Sequence, residues 1–366
     1  MRIAKLTVAA ISLAANVASA QSGDAGIAAL IEPIRVGHHL TALGAAIIRE
    51  DGVTGAVVGV RKAGTSIPAT IDDKWHLGSD TKAMTAVVVA TLIERGMLKW
   101  TSSIGEAFPV LAKDFPAEFR EITVTELLSH HAGLTANLDW RAIAKSAPTL
   151  REQRVNALKI AAKTKLIAKP GSKYEYSNLG YTIAGTIAEH VANQQWETLV
   201  REIVFNPLGM VGCGFGGTGT PGRIDQPWPH TQDGKPTPKN GPDVDNAAVM
   251  GPAGIVHCSI ADWAKFIADQ LQGERGMGAL LKPESYRMLH EPQFGSNYAF
   301  GWIATTRPWG NGTVLTHSGS NTMNFCVVWI APKRDFAVLA VTNQGGNEAE
   351  KATDEAVAAL IAKLGR

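Results

Sequence analysis

The chain has few cysteines and almost no imbalance of charge. Only 3 of its 366 residues are cysteine, far below the density of a small disulfide-stabilised scaffold. The 35 Lys and Arg residues are nearly matched by 33 Asp and Glu residues, and no basic run occurs. Because the chain lacks a strongly positive segment, we expect neither nucleic acid nor an anionic membrane surface as a partner.

Long apolar runs are also absent from most of the chain. The longest clear one, Ala86–Ile93, is much shorter than the roughly 20 residues that a membrane-spanning helix needs. At the N-terminus, Arg2 and Lys5 flank the start of an apolar stretch over residues 6–15, and Ala18-Ser19-Ala20 fits a small-x-small cleavage site. This layout predicts a signal peptide cleaved after Ala20, and therefore a periplasmic or secreted protein with no stable membrane anchor.

The three cysteines, Cys213, Cys258 and Cys326, show no CxxC or histidine-paired spacing. In an oxidising compartment one disulfide is feasible, with Cys213 and Cys258 as the less distant pair. Three buried, unreactive thiols are the preferred interpretation. We expect no metal site and no cofactor.

Strand-like segments occur at both ends of the chain, with helical segments between them. An Asp51-Gly52 turn joins two strand-like runs, 45–49 and 56–61, into a predicted hairpin. Three further strand-like runs lie at 313–316, 325–330 and 336–342. The pattern predicts an α/β (α+β) fold, with an antiparallel sheet flanked by N- and C-terminal helices and an inserted, mainly helical domain.

This pattern divides the chain into a signal peptide (1–20), a discontinuous α/β domain (21–78 and 250–366) and a mainly helical domain (79–249). Within the helical domain, residues 212–242 are rich in Gly and Pro and are long for a loop in a compact domain. Such a segment favours a binding loop or a site flap. We expect a small-molecule or peptide substrate to bind in the crevice between the domains. The oligomeric state is not specified by the sequence.

Several common enzyme signatures are missing. The sequence contains no GxSxG nucleophile elbow, no HExxH, no Walker A loop and no EF-hand string. Gly214–Gly219 matches GxGxxG, but no strand precedes it, and Thr220-Pro221-Gly222 follows where a helix would begin. We interpret it as a Gly-rich loop, and the α/β-hydrolase route to a serine enzyme is excluded.

One SxxK sequence occurs, Ser79-Asp80-Thr81-Lys82, at the start of a predicted helix over residues 79–95. Residues three apart share one face of a helix, so the lysine amine can reach the serine hydroxyl. Burial lowers a lysine pKa, and the neutral amine can then accept the serine proton. The structural alternative, an N-cap serine followed by a surface lysine, is less favoured because the sequence occurs once and at a helix start.

A second polar group is Tyr176-Ser177-Asn178. A tyrosine beside a lysine can act as a general base, and an asparagine can hydrogen-bond both a lysine and a substrate amide. A structural helix entry explains these residues equally well. His130 and His131 are expected to order the loop beneath a site rather than to act on substrate.

The third group, His317-Ser318-Gly319-Ser320, follows the strand-like run 313–316. Gly319 would leave a strand edge open to a substrate backbone, although a lone histidine is more often structural. Trp228 and Trp309 lie in predicted site loops. Each is either part of an aromatic wall for substrate or a residue that packs its loop.

In this order, SxxK, YxN and HxG, the chain resembles the serine β-lactamase and penicillin-binding-protein superfamily. The branch that it resembles holds class C β-lactamases, family VIII esterases, D-aminopeptidases and DD-carboxypeptidases. Further strings that fit are Ile122–Leu134, Pro207–Met210, Gly251–Gly254 and Phe300-Gly301-Trp302. The resemblance covers nearly the whole chain after the predicted signal peptide, and it implies a β-lactamase/transpeptidase-like fold.

The resemblance also implies a role for each matching residue. Ser79 would be the acylated nucleophile and Lys82 its activating amine. Tyr176 would protonate the leaving group and later activate water, while Asn178 would position Lys82 and the substrate amide. The backbone N–H groups of Ser79 and Ser320 would form the oxyanion hole.

The sequence departs from the class C pattern at two places. His317 stands where those enzymes place a lysine, although Ser318 and Gly319 retain the hydroxyl and the glycine that contact substrate. No arginine falls directly after Phe300-Gly301-Trp302, and Arg307 is the nearest candidate. We therefore expect an exported serine hydrolase acting on esters or on amide and peptide bonds rather than an efficient β-lactamase. The alternative is a penicillin-binding-type β-lactam or peptidoglycan sensor with slow deacylation.

Overall fold

The computed structural model describes residues 23–365, and the predicted signal peptide lies outside this part of the chain. The strands are β1 (Ala42–Arg49), β2 (Gly52–Gly59), β3 (Lys74–His76), β4 (Gly214–Phe215), β5 (Val256–Ser259), β6 (Ile303–Arg307), β7 (Gly312–Ser320), β8 (Phe325–Ala331) and β9 (Phe336–Thr342). They form two antiparallel sheets. The larger has the order β2-β1-β9-β8-β7-β6, and the smaller has the order β3-β5-β4.

The helices surround the larger sheet and fill the middle of the chain. They are α1 (Ala25–Gly37), α2 (Thr81–Glu94), α3 (Ile104–Ala107), α4 (Ala117–Arg120), α5 (Val124–Leu128), α6 (Trp140–Ala144), α7 (Leu150–Lys163), α8 (Asn178–Ala192), α9 (Trp196–Val200), α10 (Gly251–Gly254), α11 (Ile260–Gly273), α12 (Pro283–His290) and α13 (Asn347–Leu364). The α/β architecture with an antiparallel sheet is therefore as predicted. Among residues 23–365, no helix combines the length and apolar character needed to cross a membrane.

The larger sheet is buried on both faces because alternate residues of its strands enter different cores. Ala45 and Ile47 of β1 belong to a core shared with α1 and α13, which cover one face. Ala46 and Ile48, their neighbours in sequence, belong to the core beneath α11 and the helical middle of the chain. This second core extends continuously into the helices, so the two parts of the molecule share one hydrophobic interior.

Helix α2 is the centre of the helical part. Every residue from Thr81 to Leu92 is buried, which is the pattern of a helix enclosed on all sides rather than one with a solvent face. A 3₁₀ turn, Gly78–Asp80, leads into the helix. The turn packs against β7, so the SxxK residues lie where the helical part meets the edge of the larger sheet.

The pairing of β4 with β5 corrects the prediction made for the cysteines. Gly214 faces His257 in this pair, which places Cys213 beside Cys258 with their Cα atoms 4.0 Å apart, and the two form a disulfide. The preferred interpretation of three free thiols is therefore wrong for these two. The 45-residue separation concealed a contact that only the small sheet creates. Cys326 is free and buried.

Candidate active site

The SxxK residues meet as helix geometry predicts. Nζ of Lys82 lies 2.9 Å from Oγ of Ser79, which is half-buried, whereas the Lys82 side chain is fully enclosed. Burial lowers the pKa of the Lys82 ammonium well below its usual range, while the negative charge of Asp80 opposes this shift. Lys82 is therefore present to a larger extent as the neutral amine, which can accept a proton.

Two further oxygens hold Lys82 in place. Its Nζ donates to Oδ1 of Asn178 at 2.8 Å and to the Ala253 carbonyl at 2.8 Å. Asn178 begins α8, and its Nδ2 donates to Oδ1 of Asn137 at 3.0 Å. Two N–H bonds of the lysine are therefore directed at fixed acceptors, and its third hydrogen-bonding position faces Ser79.

Tyr176 reaches the same serine from the other side. Its hydroxyl donates to Oγ of Ser79 at 2.8 Å, and Nζ of Lys82 lies 4.8 Å from the centre of its ring. Burial raises the pKa of the Tyr176 hydroxyl above its usual range, although the contact with Ser79 acts in the opposite direction. His130 supports this loop, as expected, because its Nδ1 accepts from the backbone N–H of Ser177 at 3.1 Å.

The HxG residues lie within a strand rather than after one. β7 continues to Ser320, whereas its pairing with β6 ends where Thr316 faces Ile303. Residues 317–320 therefore pair with β8 on one side and face no strand of the described chain on the other. An extended substrate can add to such an edge through backbone hydrogen bonds.

Gly319 is required by the close approach of β7 to the 3₁₀ turn. A Cβ at this position would overlap the Leu77 carbonyl and lie 2.8 Å from the backbone N of Ser79. On the facing side, a Cβ on Gly78 would overlap the backbone N of Ser320. The two backbone N–H groups predicted for the oxyanion hole are thus on adjoining segments whose contact excludes side chains.

His317 is buried beside Tyr298, and among the described residues no hydrogen bond joins it to Tyr176. Its Nε2 lies 3.1 Å from the hydroxyl of Tyr298, and its Nδ1 lies 2.8 Å from the Ser318 carbonyl and 3.3 Å from Oδ1 of Asp80. The ring is 5 % exposed. His317 is therefore a buried group that connects Tyr298 to the nucleophile turn.

Neither tryptophan forms an aromatic wall. Trp228 is 4 % exposed, and its indole N–H donates to the Thr237 carbonyl at 2.8 Å. The Lys62 ammonium lies 3.4 Å from the centre of its ring. These contacts hold the Gly/Pro-rich loop against the rest of the protein. Trp309 precedes β7 and packs against Trp329 and Phe336. Since β7 spans about 27 Å at ~3.4 Å per residue, Trp309 is at the far end of the strand from Ser320.

Sequence reasoning missed four groups around the site: Asp80, Asn137, the Ala253 carbonyl and Tyr298. Two of them lie within strings that did attract attention, because Asp80 is part of the SxxK sequence and Ala253 belongs to Gly251–Gly254. Tyr298 stands two residues before the Phe300-Gly301-Trp302 string. Asn137 carries no local signal, since only the fold brings it to Asn178.

Comparison with known proteins identifies the family. The family described as Beta-lactamase matches residues 27–363 of this chain. The chain belongs to the Beta-lactamase family. Protein flp from Staphylococcus aureus is one of its relatives. The two are 22 % identical over 290 residues, which cover 78 % of this chain and 56 % of that protein. The chain thus spans about half the length of the curated relatives that it matches.

Solved structures share the fold of this Beta-lactamase family chain. The octameric penicillin-binding protein homologue from Pyrococcus abyssi superposes with a TM-score of 0.76 at 21 % identity, over 92 % of this chain and 77 % of that one. A class C beta lactamase from Rhodobacter sphaeroides gives a TM-score of 0.72 at 19 % identity, over 92 % and 100 % of the two chains. The resemblance predicted from the motifs is therefore confirmed at the level of family and fold.

Proposed function

We propose that the protein is a serine hydrolase that cleaves ester or amide and peptide bonds through an acyl-enzyme on Ser79. One observation carries the proposal: Oγ of Ser79 lies within hydrogen-bond distance of both Lys82 and Tyr176, at 2.9 and 2.8 Å. A nucleophile placed between an amine and a phenol has a proton acceptor and a proton donor before substrate arrives.

Acylation begins when the neutral amine of Lys82 takes the proton of Ser79 and Oγ attacks the substrate carbonyl carbon. The oxygen of the resulting tetrahedral centre accepts hydrogen bonds from the backbone N–H groups of Ser79 and Ser320. The hydroxyl of Tyr176 gives its proton to the leaving oxygen or nitrogen as the carbonyl–leaving group bond breaks. This step leaves a phenolate beside the Lys82 ammonium, which stabilises it.

Deacylation restores every proton. The Tyr176 phenolate takes a proton from water, and the hydroxide attacks the acyl carbon. When the Ser79–acyl bond breaks, Oγ recovers its proton from the Lys82 ammonium and the carboxylic acid departs. Asn178 holds Lys82 throughout through its Oδ1.

The residue at position 317 supports esters and peptides over β-lactams. His317 stands where class C enzymes place a lysine, and its ring is buried against Tyr298. No lysine ammonium from this position would meet a substrate carboxylate, so a neutral or cationic leaving group is favoured.

Export to the periplasm or medium is part of the proposal. The Cys213–Cys258 disulfide supports it, because such bonds persist in oxidising compartments. Expression with the native N-terminus followed by N-terminal sequencing of the mature protein should give Gln21 as the first residue. A retained Met1 in the cytosolic fraction would contradict export without affecting the proposed chemistry.

A substrate panel tests the activity. A chromogenic cephalosporin, short p-nitrophenyl esters and L- and D-peptide amides should be compared with wild-type protein, Ser79→Ala and the control Ser66→Ala, an exposed serine. We expect turnover of an ester or peptide that only Ser79→Ala abolishes. Full turnover by Ser79→Ala would refute the acyl-enzyme. A long-lived adduct on Ser79 by mass spectrometry, without product release, would favour the sensor instead.

A further inference from the structure

A histidine and an aspartate form a buried pair directly behind the nucleophile turn. Nε2 of His76 lies 2.8 Å from Oδ2 of Asp245, and both side chains are 2 % exposed. His76 ends β3, whereas Asp245 belongs to the long segment between β4 and β5. His76-Leu77-Gly78 matches the HxG pattern, whereas no motif marks Asp245, and the proposed reaction assigns neither residue a role.

The second ring nitrogen defines which tautomer His76 adopts. Nδ1 accepts a hydrogen bond from the backbone N–H of Gly78 at 3.0 Å. A nitrogen that accepts carries no proton, so the proton of the neutral ring resides on Nε2 and is donated to Asp245. The carboxylate therefore keeps Nδ1 available as the acceptor for Gly78.

The same carboxylate also reaches the end of β7. Oδ1 of Asp245 accepts from Nδ2 of Asn321 at 2.9 Å, and Asn321 is 4 % exposed. Asp245 is thus connected to the residue before Ser79, through His76, and to the residue after Ser320. Ser79 and Ser320 are the two residues whose backbone N–H groups the proposed reaction uses.

We propose that Asp245 and His76 are positioning residues for the oxyanion hole, an inference that rests on the proposed function. Two backbone donors stabilise one developing negative charge only when both are about 3 Å from the same oxygen. The donors belong to different segments. Gly78, next to Ser79, has a positive φ of 47°, and the backbone of a glycine can adopt many other conformations as well. The connection through Asp245 holds the two segments at one separation.

The variant Asp245→Asn tests this with little change of shape. An amide has one oxygen and one NH₂ group. Either His76 on one side, or Asn321 and the backbone N–H of Asn246 on the other, must then face a donor in place of an acceptor. If the amide NH₂ faces His76, Nε2 must accept a hydrogen bond and the ring proton moves to Nδ1. The Nδ1–H group then faces the N–H of Gly78, which has lost its acceptor. We expect kcat on the best ester or peptide to fall about 10- to 100-fold, less than complete loss of one oxyanion donor causes, with KM within about 2-fold.

Asp243→Asn is the matched control, because Asp243 lies two residues away on the same segment and is exposed. It should keep the kcat of the wild type. A double variant separates a route through His76 from an independent effect: Asp245→Asn added to His76→Ala should lower kcat no more than about 2-fold further. Multiplication of the two single losses would overturn the proposed route.

Asn321→Ala keeps the test valid if Asp245→Asn does not fold, because it leaves the His76–Asp245 pair in place. It removes the bond to Asp245 together with the Oδ1 that accepts from the backbone N–H of Met323 and from Nδ2 of Asn324. It should lower kcat with KM unchanged, and thermal unfolding of each variant identifies losses that merely follow stability. If Ser79→Ala is inactive while Asp245→Asn or Asn321→Ala keeps the kcat of Asp243→Asn, the positioning role alone is refuted. Turnover by Ser79→Ala would instead refute the proposed function and this role with it.

Discussion

The hydroxyl of Tyr298 lies 3.1 Å from Nε2 of His317, and this contact gives the histidine of the HxG sequence a partner other than Tyr176. Nδ1 of His317 faces the Ser318 carbonyl and Asp80, which are acceptors, so the ring proton belongs on Nδ1 and Nε2 accepts from Tyr298. The histidine is held inside the protein rather than offered to the anionic part of a substrate.

Replacement of Tyr298 by phenylalanine should destabilise the fold. The buried Nε2 of His317 would lose its donor, and an unsatisfied buried acceptor costs about 1–3 kcal/mol. We expect the free energy of unfolding in urea to fall by about this amount. Tyr174→Phe is the control, because Tyr174 is partly exposed and its hydroxyl has no protein partner within the described residues. Equal stabilities of the two variants would show that the contact contributes nothing.

The pH dependence of activity should respond to Asp80. The proposed base is the neutral amine of Lys82, so kcat/KM should rise as pH increases through the pKa of that lysine. The charge of Asp80 raises this pKa against the larger effect of burial. Asp80→Asn removes the charge, lowers the pKa further and should move the acidic limb of the profile to lower pH.

The measurement is kcat/KM as a function of pH for the wild type, Asp80→Asn and Asp243→Asn. The exposed Asp243 is a control for a general loss of negative charge and should leave the acidic limb where it is. A shift of the Asp80→Asn limb to higher pH would contradict a neutral lysine base.

Gly319→Ala should damage both stability and activity. Its methyl group would overlap the Leu77 carbonyl and crowd the backbone N of Ser79, so β7 and the 3₁₀ turn must separate. Overpacking of this kind costs about 1–3 kcal/mol, and the loss of kcat should exceed the loss of folded protein. Gly37→Ala, where a Cβ meets nothing within 4 Å, should change neither kcat nor the unfolding midpoint by much. Normal activity of Gly319→Ala would argue against the oxyanion site.

Reduction of the Cys213–Cys258 disulfide should lower stability. The bond closes a segment of 45 residues, for which chain entropy in the unfolded state predicts a stabilisation of about 4 kcal/mol. Thermal unfolding with and without dithiothreitol should therefore differ for the wild type and coincide for the Cys213→Ala/Cys258→Ala double variant. A reductant effect that persists in the double variant would place its origin elsewhere.

Much of the architecture was predictable because its signals are local. The Asp51-Gly52 turn joins β1 and β2 as predicted, and the capping box of Thr123 with Glu126 begins α5. The HxG sequence was less predictable. It follows a short apolar run, but β7 continues through it, since pairing with β8 extends to Ser320.

By itself, the sequence determined the spacing of Ser79 and Lys82, because residues three apart on a helix meet whatever surrounds them. The order of the three motifs likewise sufficed for the family. Tertiary structure alone decided the disulfide, the burial of Trp228, the distance of Trp309 from the site and the partners of His317. It also brought Asp245 to His76, 169 positions earlier in the chain. Such contacts depend on which segments the sheets and the shared core bring together, and no local pattern records that.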